Sequence, residues 1–229
     1  MKHNLIATSP HEKALGWPYL VIQLLFLPTL VALISELVHL GLTIAELNIV
    51  LFVINFITVA FIFHRFLLKN FDRAIQNTKR WLLLSLAGFG IYMLSLYTVN
   101  IFIAFLHPQH INANNETISD FAASHYTLMF IGTVLLVPIT EETLYRGLIF
   151  GSLYRVHPIL GYVFSALIFS LIHVVGYIGI QDWFSLFLSL LQYVPAGLVL
   201  GWAYAKSGTI WTPILIHAVI NMIGILSMR

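Results

Sequence analysis

The sequence predicts an all-α fold: a polytopic transmembrane helical bundle of seven to eight membrane helices with a cytoplasmic N-terminus. Of the 229 residues, 59% are hydrophobic and only 9% are charged, whereas soluble domains carry about 25% charged residues. Apolar runs of about 20 residues, the length that crosses a bilayer core of about 30 Å, recur along the whole chain. We therefore expect a multi-pass protein of the cell membrane, whose first partner is the lipid bilayer.

Seven apolar segments account for nearly the whole sequence. Pro138 interrupts the fourth of them, and Pro195 can divide the sixth into two shorter helices, because proline lacks the backbone donor that a helix interior needs. The division at Pro195 gives the upper count of eight helices. The predicted spans are 17–39, 44–67, 81–106, 122–155, 159–178, 183–205 and 209–228.

The basic residues predict the orientation in the membrane. With a cytoplasmic N-terminus, every lysine and arginine except Arg229 lies on or toward the cytoplasmic side, as the positive-inside rule requires. The external loop at 107–120 then contains acids and amides but no basic residue. The net charge of +2 reflects this asymmetry, so we expect no nucleic acid partner. The residues on the cytoplasmic side are Lys2, Lys13, Arg65, Lys69, Arg73, Lys79, Arg80, Arg146, Arg155 and Lys206.

Two further features limit the chemistry and the processing of the chain. It has no cysteine, which excludes disulfides, thiolate nucleophiles and cysteine metal ligands. The apolar run that follows residue 16 has no small-residue cleavage site, so the first span is expected to remain as a membrane anchor. Any hydrolytic chemistry must use groups other than thiols.

Ionisable residues inside membrane spans are costly, and each is a candidate functional residue. Glu141, Glu142 and Arg146 occur together in EETLYRG, His173 ends FSLIH, and His217 and Asn221 bound HAVIN. These segments lie in three different predicted spans. Other histidines, His107, His110 and His125, lie at or beyond the external boundary and are expected to be loop or interface residues.

The spacing predicts which of these side chains lie at the same depth. Glu141 and His173 are equally far in sequence from His157, the centre of the turn between their helices, so a carboxylate and an imidazole can face each other. His217 lies only about 12 Å into its helix, against about 21 Å for His173, and Asn221 is one turn deeper. The predicted depth of His217 therefore agrees least well with the depth of the other candidate residues.

The two glutamates of EETLYRG are predicted to differ in environment. Glu142 and Arg146 are four residues apart, which places them on one helix face with the acid N-terminal to the base, the favourable order for an ion pair. Glu141 is rotated by about 100° and is left without this partner. Pro138, three residues before Glu141, frees a backbone carbonyl and can open the helix at this depth.

These three segments resemble the motifs of a known family. EETLYRG fits an EExxxR box, FSLIH an FxxxH box and HAVIN an HxxxN box of the CAAX protease and bacteriocin-processing family of intramembrane proteases, also called CPBP or Abi. The boxes occur in the family's order within about 122–228. The resemblance implies a catalytic helical core at 122–229 and membrane helices of unassigned function at 1–121.

The family resemblance also implies roles for the six residues. Glu141 resembles the general base that activates a water molecule, assisted by His173, and His217 and Asn221 resemble donors to the oxyanion. Glu142 and Arg146 would hold the helix and orient the substrate backbone. A Zn²⁺ ion on Glu141, His173 and His217 and a metal-free glutamate mechanism are equally compatible with the sequence.

The resemblance implies a membrane-associated peptide or protein as substrate and a bacterial cytoplasmic membrane as location. Bacteriocin immunity and maturation of a peptide signal are the expected settings, in preference to trimming of prenylated CAAX termini. Two alternatives remain open: a non-catalytic immunity or scaffold protein, and a proton-coupled transporter, which would also place ionisable groups near mid-membrane.

Overall fold

A computed structural model describes residues 5–228 of the chain, so Lys2 and Arg229 of the orientation prediction lie outside the described residues. Within this range the protein is helical and contains no β-strand beyond one isolated bridge between Ile178 and Gln181. The predicted all-α fold is confirmed. The helices are α1 (Pro10–Leu25), α2 (Leu27–Leu37), α3 (Ile44–Ile62), α4 (His64–Gln76), α5 (Thr78–Leu106), α6 (Ala113–Val156), α7 (Pro158–Ile172), α8 (Trp183–Ser207) and α9 (Trp211–Ser227).

Fewer helices qualify as membrane spans than the sequence predicts. In the described part of the chain, five helices are long and apolar enough to cross a membrane, and α1 with α2 makes a sixth if that bent pair is one span. The apolar helix α9 has 17 residues and is not counted among these spans. Every predicted span coincides with a helical region, but α8 runs without a break through Pro195. The eighth helix predicted from that proline is therefore absent from the described residues.

The first predicted span is a bent pair of helices. The chain becomes helical already at Pro10, where Ser9 and Glu12 form a capping box, and α1 and α2 meet at an angle of 59°. Pro28 lies in the first turn of α2 and has no N–H for the preceding helical turn, which accounts for a sharp bend. The predicted span 17–39 therefore consists of two helices set at an angle.

The second predicted span ends earlier than its hydropathy suggests. Glu12, which is buried, accepts a hydrogen bond of 2.8 Å from the backbone N–H of Phe66 through Oε1. This carboxylate therefore caps the first turn of α4, where helix N–H groups have no partner of their own. Because α4 starts there as a separate helix, α3 ends at Ile62.

The long helix α6 carries the EETLYRG segment and changes its winding around it. Two π-helical stretches, Gly132–Leu136 and Thr143–Phe150, flank the α-helical section Val137–Glu142. Pro138 lies at the start of that section. Its missing N–H therefore falls next to the upstream π-helical stretch, where the regular α-helical hydrogen-bond pattern is already interrupted. The predicted opening at Pro138 takes the form of a π-turn, a feature frequent at functional sites.

Helices α7 and α8 pack closely at Gly197. A Cβ atom on Gly197 would lie 2.5 Å from the Cα atom of Ala166 on α7, a distance at which backbone and not only a side chain must move. This close approach is the packing that the small residues at 197 and 201 permit. This contact sets the distance between α7, the helix with the FSLIH motif, and α8, the helix whose carbonyl groups bind Arg146.

We expect Gly197→Ala to lower the thermal unfolding temperature of the detergent-solubilised protein, because overpacking of a tight core costs about 1–3 kcal/mol. Gly90→Ala is the matched control, since a Cβ at Gly90 meets no atom within 4 Å. The prediction is wrong if the two variants unfold at the same temperature.

Candidate active site

The candidate site is built around the C-terminal half of α6. All eight residues of Thr143–Phe150 are buried; α7 and α8 pack against this stretch, and α9 packs against Gly132–Leu136 and Val137–Glu142 just before it. The packing brings the three sequence motifs, which are far apart in the chain, to one place in the bundle.

Glu142 is the centre of a buried cluster of charged and polar groups. Its Oε1 atom accepts hydrogen bonds from Arg146 Nη1 at 2.9 Å and from His217 Nδ1 at 2.8 Å. The predicted ion pair between Glu142 and Arg146 is confirmed, and both side chains are fully buried. The bond to His217 was not predicted, because it joins two helices that the sequence places in separate spans.

Arg146 connects α6 to α7 and α8. Its Nη2 atom lies 3.2 Å from the carbonyl oxygen of Ala196 and 3.4 Å from that of Gly197. The guanidinium carbon also lies 4.3 Å from the centroid of the Phe169 ring, an arrangement that attracts a cation to an aromatic face. Arg146 is thus bound on three sides by protein groups.

His173 has a defined tautomer because of its hydrogen bond to the backbone. Its Nδ1 atom lies 2.7 Å from the carbonyl oxygen of Phe169, and a carbonyl can only accept, so Nδ1 carries the proton. In the neutral ring Nε2 then has a free lone pair. The ring is held between Phe169, at a centroid distance of 4.6 Å, and Tyr193, stacked at 4.3 Å.

Glu141 lies in a different environment from Glu142. Its Oε2 atom is buried and has no hydrogen-bond partner, as is also true of Glu142 Oε2, but Glu141 lacks the ion pair and the hydrogen bonds that Glu142 makes through Oε1. A buried carboxylate oxygen without a partner is costly. Glu142 thus has a charged partner and Glu141 does not, whereas the freedom of Glu141 to react stays a prediction.

His217 reaches the site although its position in sequence is shallower than that of His173. Its ring centroid is 6.0 Å from that of Phe169, which also contacts His173. The reason is that the chain leading into α9 is itself buried: Asn70 of α4 accepts the Ile210 N–H at 2.9 Å and the Thr209 hydroxyl at 2.7 Å. The helix starts inside the bundle, and its second turn lies at the level of the site.

Asn221 lies one turn beyond His217 and contacts α6. Its Nδ2 atom donates a hydrogen bond of 2.8 Å to the carbonyl oxygen of Thr133, in the upstream π-helical stretch. An amide nitrogen carries two protons, so this bond leaves one N–H of Asn221 for another acceptor. The rewound helix around Pro138 thus orients the last residue of the HAVIN motif.

Comparison with known proteins finds a family to which this part of the chain is similar. Residues 123–223 match the model described as Rce1-like, type II CAAX prenyl endopeptidase Rce1-like. The predicted family is confirmed. The matched range, hereafter the Rce1-like segment, contains all six candidate residues and covers slightly less than half of the chain.

Two curated relatives are similar to parts of the chain. YdiL of Bacillus subtilis, named provisionally as a membrane peptidase, is 32% identical over 94 residues, which are 41% of this chain and 34% of that protein. The UPF0177 protein YxdF of Lactococcus lactis is 28% identical over 90 residues, 39% of this chain and 44% of that protein. The chain therefore matches less than half the length of either relative. No solved structure matches it significantly.

The predicted boundary between 1–121 and 122–229 lies within α6, four residues before a kink at His125, where the backbone leaves the helical conformation. Gln23 of α1 also donates a hydrogen bond of 3.3 Å to the hydroxyl of Tyr145 in the Rce1-like segment. A separate function for the first helices stays a prediction that the structure does not address.

Three contributors to the site were not identified from the sequence. Phe169 contacts Arg146, His173 and His217 with its ring, and its place in the FSLIH motif is the signal that could have revealed it. Tyr193 gives no such signal in a chain with ten tyrosines. The carbonyl of Thr133 becomes a partner only through the tertiary fold.

The described side chains do not fit a zinc site. Among residues 5–228 no group of three histidine, aspartate or glutamate side chains is close enough to hold a metal ion. The three predicted ligands, Glu141, His173 and His217, are not gathered around one point, and His217 donates from Nδ1 to Glu142. We therefore derive no step through a metal.

Tyr193 positions the His173 ring. Its hydroxyl accepts a hydrogen bond of 2.9 Å from Asn114 Nδ2, so the stacked ring is fixed by the first turn of α6. We expect Tyr193→Ala to lower the rate of peptide cleavage roughly two- to tenfold, the loss that corresponds to one aromatic pair. Tyr193→Phe should retain most of the rate because the stack remains. Tyr97→Ala, at an exposed site on α5, is the control, and an equal loss in both alanine variants would contradict the assignment.

Proposed function

We propose that this protein is an intramembrane endopeptidase that hydrolyses a peptide bond of a membrane-associated protein or peptide, with a water molecule activated by Glu141 and His173. The observation that carries the proposal is the buried Oε2 atom of Glu141, which has no hydrogen-bond partner, next to Glu142, which is bonded to His217 of the HAVIN motif. A carboxylate in this position is expected to act as a general base, and an imidazole with a free Nε2 can share the proton.

The proposed reaction starts with removal of a proton from water by Glu141. The water oxygen forms a bond to the carbonyl carbon of the substrate, and the carbonyl oxygen becomes an oxyanion. The proton is then passed to the nitrogen of the leaving amine, the C–N bond breaks, and a new carboxyl group and a new amine are released. His173 holds the proton between the two steps.

The oxyanion is stabilised by donors from α9. Asn221 has a remaining amide N–H after its bond to Thr133 and donates it without any change in charge. His217 already donates from Nδ1 to Glu142, so it can donate from Nε2 only as an imidazolium. The carboxylate of Glu142 would stabilise that imidazolium. Preorganised donors of this kind contribute about 10²–10³-fold to the rate.

Glu142 and Arg146 act as positioning residues in this proposal. Both are fully buried, and their hydrogen bonds go to protein groups on α8 and α9. They hold the α6 segment that carries Glu141 against the helices that carry the histidine motifs. This role replaces the contact with the substrate backbone that the sequence suggested for them.

The proposed setting is a bacterial cytoplasmic membrane, with bacteriocin immunity or maturation of a peptide signal as the biological role. One relative, from Bacillus subtilis, is named as a membrane peptidase, and another comes from Lactococcus lactis. Because the chain covers less than half of each, their roles support the setting only by similarity.

The function is tested with the purified protein in sealed lipid vesicles containing a mixture of transmembrane peptides and a pH-sensitive dye. We expect new peptide termini without proton movement, and unchanged cleavage after treatment with a metal chelator. Proton movement without cleavage would identify a transporter. Neither activity, with the biological phenotype intact, would favour the immunity or scaffold alternative.

A further inference from the structure

A cavity of about 640 Å³ lies outside the candidate site, where the start of α5 meets the end of α8. Lys79 and Arg80 of α5 and Lys206 of α8 line it, together with amide side chains of Gln76 and Asn77. No acidic residue is among its lining residues. The cavity therefore presents three positive charges and neutral polar groups to a ligand.

The backbone adds to the positive potential of this cavity. The N-cap side chain of α5 makes no hydrogen bond to the first turn, and Asn77, Thr78 and Lys79 at this helix end line the cavity, so the positive end of the helix dipole lies beside it. Arg80 Nη2 donates a hydrogen bond of 2.9 Å to the carbonyl oxygen of Lys206. This bond holds the two basic segments together at the rim.

The lower part of the cavity is apolar. Leu83 and Leu84, one turn further along α5, belong to its lining, and Leu83 is 56% exposed. The cationic side chains match the charged headgroup of a phospholipid, and the leucine side chains match its apolar chains. A small inorganic anion would use only the upper part.

Tryptophan side chains place the cavity at the level of the lipid headgroups. Trp81 follows Arg80 directly, Trp202 lies one turn before Lys206, and Trp211 donates from Nε1 to the carbonyl of Leu67 on α4. All three are half-buried. Indole rings concentrate at the interface between the hydrocarbon core and water.

The neighbouring helix α4 has the features of a helix that lies in this interface. Leu68, Phe71 and Ile75 are exposed on one side of it, while Arg65 and Lys69 are also exposed. An amphipathic helix with apolar and basic exposed groups binds at the headgroup boundary. It ends at Gln76, which is part of the cavity lining, so α4 leads directly into the cavity.

We propose that this cavity binds one anionic phospholipid, with its phosphate at Lys79, Arg80 and Lys206 and an acyl chain along Leu83 and Leu84. Basic pockets between helices at a membrane surface are suited to charged headgroups. The inference is independent of the proposed peptidase function, because none of these residues belongs to the candidate active site.

The test is native mass spectrometry of the full chain in detergent, with phosphatidylglycerol and phosphatidylcholine of equal acyl length. We expect a one-to-one complex with phosphatidylglycerol, and binding weakened on the order of 30-fold by the double variant Lys79→Gln/Lys206→Gln. Arg80 is left in place because of its hydrogen bond at the rim. Arg65→Gln/Lys69→Gln, with the same change in charge on α4, should bind almost as well as the unaltered protein.

Two further measurements separate a lipid from a free anion. Leu83→Gln should weaken phosphatidylglycerol binding, and inorganic phosphate at the same concentration should not displace the lipid. Equal binding of both phospholipids, an equal loss in the two double variants, or displacement by inorganic phosphate would overturn the proposal.

Discussion

Replacing Glu141 with glutamine is expected to reduce the rate of peptide cleavage by roughly 10²–10⁴-fold, the usual contribution of a positioned general base. Glutamine keeps the shape of the side chain but cannot accept a proton from water. Because Glu141 Oε2 has no hydrogen-bond partner, the substitution breaks no hydrogen bond of that oxygen. The cleavage rate per folded protein, measured in vesicles, is the quantity to compare.

Glu116→Gln is the matched control for this substitution. Glu116 is exposed in the first turn of α6, so the same chemical change there should leave the rate unaltered. His173→Gln should resemble Glu141→Gln, since it removes the group that shares the proton. A Glu141→Gln protein that retains more than a tenth of the rate would show that another group activates the water.

Replacing Arg146 with alanine is expected to destabilise the protein by about 3–5 kcal/mol, because it leaves the buried carboxylate of Glu142 without its charged partner. The alanine variant also lacks the contacts that Arg146 makes with the Ala196 and Gly197 carbonyls and with the Phe169 ring. The measurement is the amount of folded protein in the membrane together with its thermal unfolding in detergent.

A double variant separates the stranded charge from the lost contacts. Glu142→Gln/Arg146→Met removes both charges, so it should destabilise less than Arg146→Ala alone even though two side chains are changed. Arg65→Ala, at an exposed position on α4, is the control. Normal accumulation and normal cleavage by Arg146→Ala would contradict a structural role for the pair.

The parts of the fold that depend on local patterns were predictable from the sequence. The apolar runs locate the helices, and the four-residue spacing of Glu142 and Arg146 predicts the ion pair that the structure contains. The equal sequence distances of Glu141 and His173 from the turn at His157 predict that the two side chains lie at the same depth, and their facing each other stays a prediction. In each case the relevant distance is set by regular helix geometry along adjacent segments.

The parts that depend on tertiary contacts were not predictable. The break between α3 and α4 depends on a hydrogen bond from Phe66 to Glu12, and the bond between His217 and Glu142 depends on where α9 begins in the bundle. The hydropathy of a single segment predicts neither of these hydrogen bonds, because each joins two segments that are far apart in the sequence. The predicted count of seven to eight spans is not confirmed, because the apolar runs do not reveal the bend between α1 and α2 or the length of 17 residues of α9.

The measurement that tests the central claim most directly compares peptide termini in the membranes and medium of cells that produce this protein or its Glu141→Gln variant at matched levels. If Glu141 activates water for peptide hydrolysis, a set of termini will appear only with the unaltered protein, and their sequences will identify the substrate. Identical termini in the two cultures, with the biological phenotype preserved in the variant, would show that EETLYRG is a structural or partner-binding element and that the protein is not a peptidase of this kind.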